Sequence, residues 1–321
     1  MEKVSGIKSV DFKVVAVGNG VVNWNGKTTV MGNDGMELNN HSMPKLRGYS
    51  SKSGRVKEAT GYEYKKKADD VDFKENPLYI SNNCLRHHLF KDQSHDLHFS
   101  KNDGADQLEL LVSVSGLLRG YVVPAKTYKR KSPLLLEDFV DQLGNGNFEQ
   151  MGNSGARDSN SIFSKTTFGK TQYVGHGSIS IEDLQFISLD KKFDRECYQA
   201  KTPKEGVEIA EKLQIFIGSL NPVLADKVKA EYGQYYRVGS IYKEPECGIL
   251  LNETAVSILV DLMLEMIENL SINQAKGWMT VESVQKDYND SSKMMRIVTA
   301  PQNVEEEKSS EYAIYYKKVG A

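Results

Sequence analysis

The stretch VDFKVVAVG, residues 10–18, indicates a fold that contains a β-sheet, because its β-branched residues predict a long strand near the N-terminus. Asn19-Gly20 and Asn25-Gly26 are dipeptides typical of hairpin turns, and they flank a second short strand predicted at 21–24. Further strand signals return between 166 and 189. A terminal hairpin of 277–284 with 294–298 is predicted around Asn289-Asp290.

Helices are predicted between these strands from apolar spacing and capping residues. Apolar side chains in 77–91 recur on one helical face. Ser132-Pro133 supplies an N-cap followed by a proline at the first helical position. Thr202 and Glu205 form a capping box, and Asn252 caps a strongly amphipathic stretch. The predicted helices span 77–91, 106–118, 134–143, 203–218 and 253–270.

The order of elements is strand, helices, strands, helices and terminal hairpin. This order predicts an α+β fold of the RNA-recognition or ferredoxin-like type with long insertions. We predict a single palm-based domain over 1–321, since a chain of this length fits one large domain. The polar stretches 31–64 and 144–161 are predicted to project from it, and 301–321 is expected to be a flexible tail.

The composition excludes several classes of protein. Hydrophobic residues make up 39% of the chain and charged residues 26%, which is ordinary for a soluble globular protein. There is no run of 18 apolar residues to span a membrane, and the first ten residues lack the apolar core of a secretory signal. The widely spaced Cys84, Cys197 and Cys247 indicate reduced thiols rather than disulfides. We therefore expect a cytoplasmic protein.

Charge is distributed unevenly, although the net charge is only −2. Residues 41–91 contain 11 Lys and Arg against 6 Asp and Glu, a net charge of +5. Residues 119–170 contain 8 basic against 5 acidic residues, a net charge of +3. Residues 180–270 contain 10 basic against 16 acidic residues, a net charge of −6. Such asymmetry either indicates a polyanionic partner or reflects ordinary solvated faces.

Aromatic residues are interleaved with the Lys and Arg residues in both basic stretches. The first contains Tyr49, Tyr62 and Tyr64, and the second contains Tyr121 and Tyr128. Basic side chains bind phosphates, while aromatic rings stack on unpaired bases without reading their sequence. This combination is typical of a groove for single-stranded nucleic acid, but it is also common on other surfaces.

Motifs for enzymes and cofactors are weak. Gly18-x-Gly20 follows a strand but lacks the third glycine and the helix of a dinucleotide-binding loop. His95 and His98 have a spacing that suits a metal ion, yet no third ligand follows from the pattern. His87 could act as the general base of a metal-independent ribonuclease, contact RNA, or simply lie on the surface. We expect no cofactor, no metal site and no catalytic residue.

One long segment and six shorter ones, in order along the chain, carry a family resemblance. The segment 132–195, which begins SPLLLEDFVDQLGNGNFEQMGNSGARDSNS, resembles the backbone subunit of the minimal variant type I-F CRISPR effector complex, Cascade, of the repeat-associated RNA-binding superfamily. The shorter segments are SGIKSVDFKVVAVGNGVVNWNG (5–26), MPKLRGYS (43–50), ENPLYISNNCLRHHLF (75–90), GLLRGYVVP (116–124), ECGILLN (246–252) and NQAKGWMTVESVQKDYNDSSKMMRI (273–297).

The resemblance implies a non-catalytic role in antiviral defence. Copies of such a subunit assemble as a helical filament along the spacer part of the CRISPR RNA (crRNA) and present it for pairing with target DNA. The partners implied are crRNA, further copies, target DNA and flanking Cascade subunits, including the endoribonuclease that processes crRNA. No membrane partner is implied. The segment 27–74 would be a finger-like insertion and 126–178 would contain the thumb.

The resemblance and the charge pattern together suggest two sets of site residues. The candidate RNA-binding residues are Lys45, Arg47, Arg55, Arg86, His87, Arg119, Lys129, Arg130, Lys131, Arg157, Lys165, Lys276, Lys293 and Arg296. The candidates for wedging between or stacking on bases are Phe148, Met151, Phe163 and Phe168.

Two other functions stay open from the sequence. A crRNA-processing, metal-independent endoribonuclease of the same superfamily would use His87 or His88 as its base. A self-assembling structural protein would need no nucleic acid at all.

Overall fold

The computed structural model describes residues 3–25, 28–31, 37–40, 43–47, 73–92, 107–123, 127–149, 165–241 and 244–320. The strands of these residues are β1 (Ser9–Gly20), β2 (Trp24–Asn25), β3 (Thr28–Met31), β4 (Glu37–Asn40), β5 (Met43–Pro44), β6 (Tyr79–Ile80), β7 (Tyr121–Val123), β8 (Tyr128–Arg130), β9 (Leu134–Leu136), β10 (Phe139–Asp141), β11 (Gly146–Glu149), β12 (Lys165–Phe168), β13 (Lys170–Ser180), β14 (Phe186–Ser188), β15 (Ala230–Arg237), β16 (Glu246–Leu251), β17 (Ser271–Gln274), β18 (Gly277–Asn289) and β19 (Tyr316–Lys318). The helices are α1 (Asn82–Leu89), α2 (Gln107–Leu111), α3 (Ile181–Gln185), α4 (Pro203–Leu220), α5 (Glu253–Glu268) and α6 (Arg296–Thr299).

Strand β1 lies at the centre of the main sheet, as its β-branched sequence predicts. The order of this sheet is β17-β18-β1-β13-β10-β6, with β9 also paired to β13. Val14 of β1 faces Gly175 on one side and Val284 on the other, and both pairings are antiparallel. Phe12 and Val14 are fully buried, since alternate residues of a strand point to the same face. The core of the sheet is therefore built from segments far apart in the chain.

At two glycines of β13, aromatic rings pack directly against the backbone of the main sheet. A Cβ at Gly177 would lie 2.1 Å from Cζ of Phe12, and one at Gly175 would lie 2.0 Å from Cδ1 of Phe139. Only a residue without a side chain leaves room for these rings. The close approach fixes how β1 and β10 pack on β13.

A second antiparallel sheet has the order β14-β16-β15-β19. Helix α4 packs on β15, and α5 packs on α3, α4 and β18. Helix α5 therefore joins the second sheet and its helices to the main sheet. The α+β class is confirmed by this mixture of helices and antiparallel sheets, while the RNA-recognition-like palm stays a prediction.

The helices predicted from the capping residues Thr202 and Asn252 are confirmed. The Thr202 hydroxyl accepts the N–H of Glu205, and the Glu205 carboxylate accepts the N–H of Lys201 at 2.7 Å. The Asn252 side chain likewise accepts the N–H of Ala255. These bonds satisfy N–H groups that the first turn of a helix leaves without a backbone partner. Both helix starts are therefore determined locally.

Other sequence expectations for helices are corrected. The segment predicted as a helix at 134–143 forms β9 and β10 instead. Leu134 and Leu136 are buried while Leu135 is 44% exposed, which is the alternation of a strand that pairs with β13. The helix predicted at 77–91 begins only at Asn82, after β6, because the N-cap is Ser81. That predicted at 106–118 is reduced to α2 and a π turn at Ser115–Arg119.

The C-terminal part also differs from expectation. The segment 294–298 does not form a hairpin with 277–284; strand β18 pairs with β17 and β1, and 294–298 runs into α6. The segment 301–321, predicted as a flexible tail, instead contributes β19, which pairs with β15. Tyr312, Ala313 and Tyr316 are buried there. Tyr316 attaches the end of the chain to the second sheet, while Tyr312 and Ala313 pair with Ile7 just before β1.

The segments predicted as finger and thumb are only partly described. Hairpins β2–β5 and β3–β4 lie within or beside 27–74, and hairpin β11–β12 lies within 126–178. Strand β13, which includes 170–178, belongs to the main sheet. Within the described ranges, no helix combines the length and the apolar character needed to cross a membrane.

Replacing Thr202 by Ala is expected to lower the free energy of unfolding by about 1 kcal/mol, because the capping hydroxyl of α4 is removed. Urea unfolding followed by circular dichroism measures this difference. Thr202→Ser keeps the hydroxyl and is the matched control. Equal stability of the Ala and Ser variants would contradict a stabilising cap.

Candidate nucleic-acid interface

Ser81 joins three segments at the start of α1. Its hydroxyl oxygen accepts the capping N–H of Cys84, the amide N–H of Asn23 at 3.1 Å and the Lys45 ammonium at 3.4 Å. Lys45 also pairs through its backbone with Asn23 and Tyr79. The position of Lys45 is therefore set by the same bonds that begin the helix.

The turn between β17 and β18 reaches the other end of α1. The Gln274 amide nitrogen lies 3.4 Å from Nε2 of His88. Two residues later, the Lys276 ammonium lies 5.0 Å above the Trp24 ring. We call the surface formed by Trp24, Lys45, Ser81, His87, His88, Gln274 and Lys276 the α1 surface. It brings together the predicted RNA-binding residues Lys45, His87 and Lys276.

The two histidines of this surface have different environments. Their rings lie 5.1 Å apart in an edge-to-face arrangement, with His87 exposed and His88 half-buried. Burial, together with the nearby His87 and Lys91, lowers the pKa of His88 below its ordinary value. At neutral pH the His88 ring is thus neutral, able both to donate and to accept a hydrogen bond.

Arg47 lies beside the N-terminus of α1. Its guanidinium is 3.1 Å from the Asp138 carboxylate and 5.7 Å from the centre of the Tyr79 ring. Asp138 also accepts the N–H of Asn82 at 2.9 Å. Arg47 is mostly exposed, so this ion pair holds it in place without removing it from solvent.

Arg86 and Arg119 place two positive charges close together. Arg86 donates to the Ser132 hydroxyl at 3.0 Å and to the Leu134 carbonyl oxygen. Its pKa is lowered by burial and then by the charge of Arg119. Repulsion between the two guanidinium groups would be relieved by a bound anion.

The three consecutive basic residues at the end of β8, Lys129, Arg130 and Lys131, have different environments. Lys129 pairs with Asp194 at 2.6 Å, and Lys131 pairs with Asp183 at 2.8 Å. Arg130 is only 6% exposed and donates to the backbone oxygens of Asp183 at 2.8 Å and Phe186 at 3.0 Å. Lys129 and Lys131 can therefore reach a phosphate at the surface, whereas the position of Arg130 is internal.

Arg296 is also buried rather than displayed. Its guanidinium pairs with Asp287 at 2.6 Å and with Asp290 at 2.7 Å. Its backbone N–H donates to the fully buried carboxylate of Asp11 at 2.8 Å. The predicted contact between this side chain and RNA does not fit that position, because the guanidinium is already bonded inside the fold.

The remaining predicted site residues are only partly placed. Lys293 is exposed between Asp290 and α6. Phe148 lies in β11, and Lys165 and Phe168 lie in β12. Four candidates lie outside the described residues: Arg55, Met151, Arg157 and Phe163. The pair His95 and His98, considered as metal ligands, lies outside them too.

The structure adds residues that the sequence did not single out. A cleft of about 660 Å³ opens between the main sheet and the second sheet, and we call it the inter-sheet cleft. Lys8 and Arg195 line it together with Lys131 and Lys293. Neither Lys8 nor Arg195 belongs to a basic run, so local charge provides no signal for them. Among the described residues, no three His, Cys, Asp or Glu side chains converge as metal ligands would.

Comparison with known proteins identifies one family. The model of the family described as type I-Fv CRISPR-associated protein Cas7fv-like matches residues 6–319. The crystal structure of Thermofilum pendens Csc2 has 9% sequence identity over 78% of this chain and 71% of that chain, with a TM-score of 0.23. No curated protein matches the chain.

Proposed function

We propose, from the premise that the chain belongs to the Cas7fv-like family of type I-Fv CRISPR-associated proteins, that it holds the spacer part of crRNA without regard to sequence. As a member of this family it is a backbone subunit of the type I-F variant Cascade complex. The finer proposal is that copies line up along the crRNA as a helical filament, between flanking subunits, and present it to target DNA.

The α1 surface is the observation that supports this function. Its cations, Lys45 and Lys276, suit phosphates, which are the same at every nucleotide. The Trp24 ring and the rings of His87 and His88 suit stacking, which tolerates any base. A surface of this composition holds single-stranded RNA of arbitrary sequence.

The uneven charge supports assembly along the RNA. The acidic stretch 180–270 contains α4, α5 and most of the second sheet, whereas the α1 surface comes from other segments. A basic surface on one copy and an acidic one on the next would attract each other. Residues of 126–178 and 27–74 would then supply the thumb and finger that the resemblance implies.

Co-expression with a CRISPR array tests the proposal. The purified protein is expected to carry RNA of spacer-containing length, seen as a raised ratio of absorbance at 260 and 280 nm and by sequencing of the RNA. A second array with an unrelated spacer is the matched control and is expected to give the same yield. A nucleic-acid-free protein, or binding to one spacer only, would contradict sequence-independent crRNA binding.

The alternative endoribonuclease is tested on the same material. We propose that the subunit is non-catalytic, so repeat RNA is expected to stay intact when incubated with the purified protein. The neutral ring of His88 suits a general base. Site-specific cleavage that disappears in His87→Ala or His88→Ala would replace our proposal by the alternative.

Lys129→Gln combined with Lys131→Gln is expected to weaken RNA binding evenly across sequences. Removing one interaction between a lysine and a phosphate lowers the logarithmic salt slope by about 0.7 and the affinity by about fivefold at 0.1 M salt. The double variant is therefore expected to lower the slope by about 1.4 and the affinity by about 25-fold. Fluorescence anisotropy at several salt concentrations measures both effects. Lys227→Gln with Lys229→Gln, exposed residues of the acidic stretch, is the control. An unchanged slope in the β8 variant would exclude these lysines from the RNA path.

A further inference from the structure

We propose that the inter-sheet cleft binds the sugar–phosphate backbone of the guide RNA, an inference that rests on the proposed function and extends the RNA path beyond the α1 surface. The two regions are connected. Ser132 lines the cleft, and its hydroxyl accepts the hydrogen bond from Arg86 of α1. An RNA chain bound near Arg86 can therefore continue into the cleft.

The lining of the cleft is cationic. Within the lining Asp183 pairs with Lys131, while Glu182 pairs with Arg237 and Arg195 pairs with Glu246. Lys293 is exposed and lines the cleft on the side of the main sheet, since it follows strand β18. The basic residues that line the cleft are Lys8, Arg130, Lys131, Arg195 and Lys293, and the acidic ones are Glu182 and Asp183.

Arg130 gives the strongest reason to expect an anion in the inter-sheet cleft. Its buried guanidinium bonds to two neutral carbonyl oxygens, and its Nε has no hydrogen-bond partner. No carboxylate pairs with it within the described parts of the chain. A buried charge without a counter-charge is costly, since desolvation is not offset by attraction. A phosphate in the cleft would supply the missing negative charge.

Hydrogen-bond donors are also available in the cleft. The Ser180 hydroxyl accepts the N–H of Asp183, which leaves its own proton free to donate to a phosphate oxygen. Lys293 is held in place because its carbonyl oxygen accepts the amide N–H of Asn289 at 2.7 Å. Asn289 in turn donates to the buried Asp11 at 2.8 Å. The wall that carries Lys293 is thus arranged before any ligand binds.

An arginine on an aromatic platform forms part of the other wall. Phe186 and Tyr316 stack with their ring centres 4.2 Å apart. The Arg195 guanidinium lies 5.9 Å from each ring, and its Nε donates to Glu246 at 2.8 Å. Arg195 stays 41% exposed, so its planar group can stack on a base. Phosphate donors and a stacking group together favour a nucleotide chain over a simple anion.

The double variant Lys8→Gln and Lys293→Gln tests the cleft. Removing two cations that face phosphates is expected to weaken binding of a spacer-length RNA about 25-fold at 0.1 M salt and to lower the salt slope by about 1.4. Both residues lie at the surface of the cleft, so the fold is expected to persist, which circular dichroism verifies. Lys204→Gln with Lys212→Gln on α4 makes the same change of charge elsewhere and is expected to leave binding unchanged.

Lysine acetylation of the unmutated protein, read by mass spectrometry, provides a second measurement. Lys8 and Lys293 are expected to be protected when guide RNA is bound, while Lys212 reacts as before. Protection that appears only after target DNA is added would overturn the assignment to the guide. RNA binding with neither protection nor loss of affinity in the cleft variant would overturn the cleft and leave the proposed function standing. If the protein binds no RNA at all, the proposed function and the inference both fail.

Discussion

Replacing Asp287 by Asn is expected to lower the free energy of unfolding by about 3–5 kcal/mol, the largest stability effect that the structure predicts. Asp287 is 0% exposed and accepts from Nε and Nη2 of Arg296 as well as from the N–H of Glu305. These bonds raise the pKa of Arg296 above its ordinary value. Without the carboxylate, the Arg296 charge stays buried with only its outer partner.

Chemical unfolding of Asp287→Asn beside Asp290→Asn measures this effect. Asp290 binds the same guanidinium but is 52% exposed, so its replacement is expected to cost at most about 1 kcal/mol. The two substitutions remove the same charge from the same partner and differ mainly in burial. Equal decreases of stability in the two variants would show that burial does not decide the strength of this pair.

The buried hydrogen bonds around Arg296 bear on function because they support one wall of the inter-sheet cleft. Asp11 accepts from Asn289 and from the backbone N–H of Arg296, and Lys293 lies between these two residues. We therefore propose that Arg296 positions the wall of the cleft, because its guanidinium is already bonded to Asp287 and Asp290. A variant at this site would weaken RNA binding only together with stability.

Combining Lys45→Gln, Arg47→Gln and Lys276→Gln is expected to weaken RNA binding by about 100-fold at 0.1 M salt, with a salt slope lowered by about 2. All three side chains lie on or beside the α1 surface, and none is needed in the core. Removal of the exposed pair between Arg47 and Asp138 costs little stability.

Anisotropy titrations with two RNA sequences measure the expected change. Because phosphate contacts do not read bases, the decrease in affinity is expected to be the same for both RNAs. The matched control is Lys201→Gln with Lys227→Gln and Lys229→Gln, which removes three charges from the acidic stretch. A decrease confined to one RNA would indicate base recognition, and unchanged affinity would place the RNA elsewhere.

Local signals in the sequence are reliable where the structure depends on neighbours in the chain. The strand at 10–18 and the caps at Thr202 and Asn252 are such features. The helix predicted at 134–143 is wrong because the apolar residues of this segment suit either a helix or a strand. Pairing with β13, more than 30 positions away, selects the strand by offering backbone hydrogen bonds along its edge.

The order of residues is enough to establish the family, the α+β class and the basic segments from which an RNA-binding surface can be built. Which of those basic side chains are buried and which are exposed depends on tertiary packing. Arg130 and Lys131 are adjacent in the chain, yet one is buried and the other exposed. Arg296 bonds to Asp11, 285 positions away, a contact that no local pattern reveals. The physical reason is that desolvation and pairing of a charge depend on every segment packed around it, whereas its identity depends on one residue.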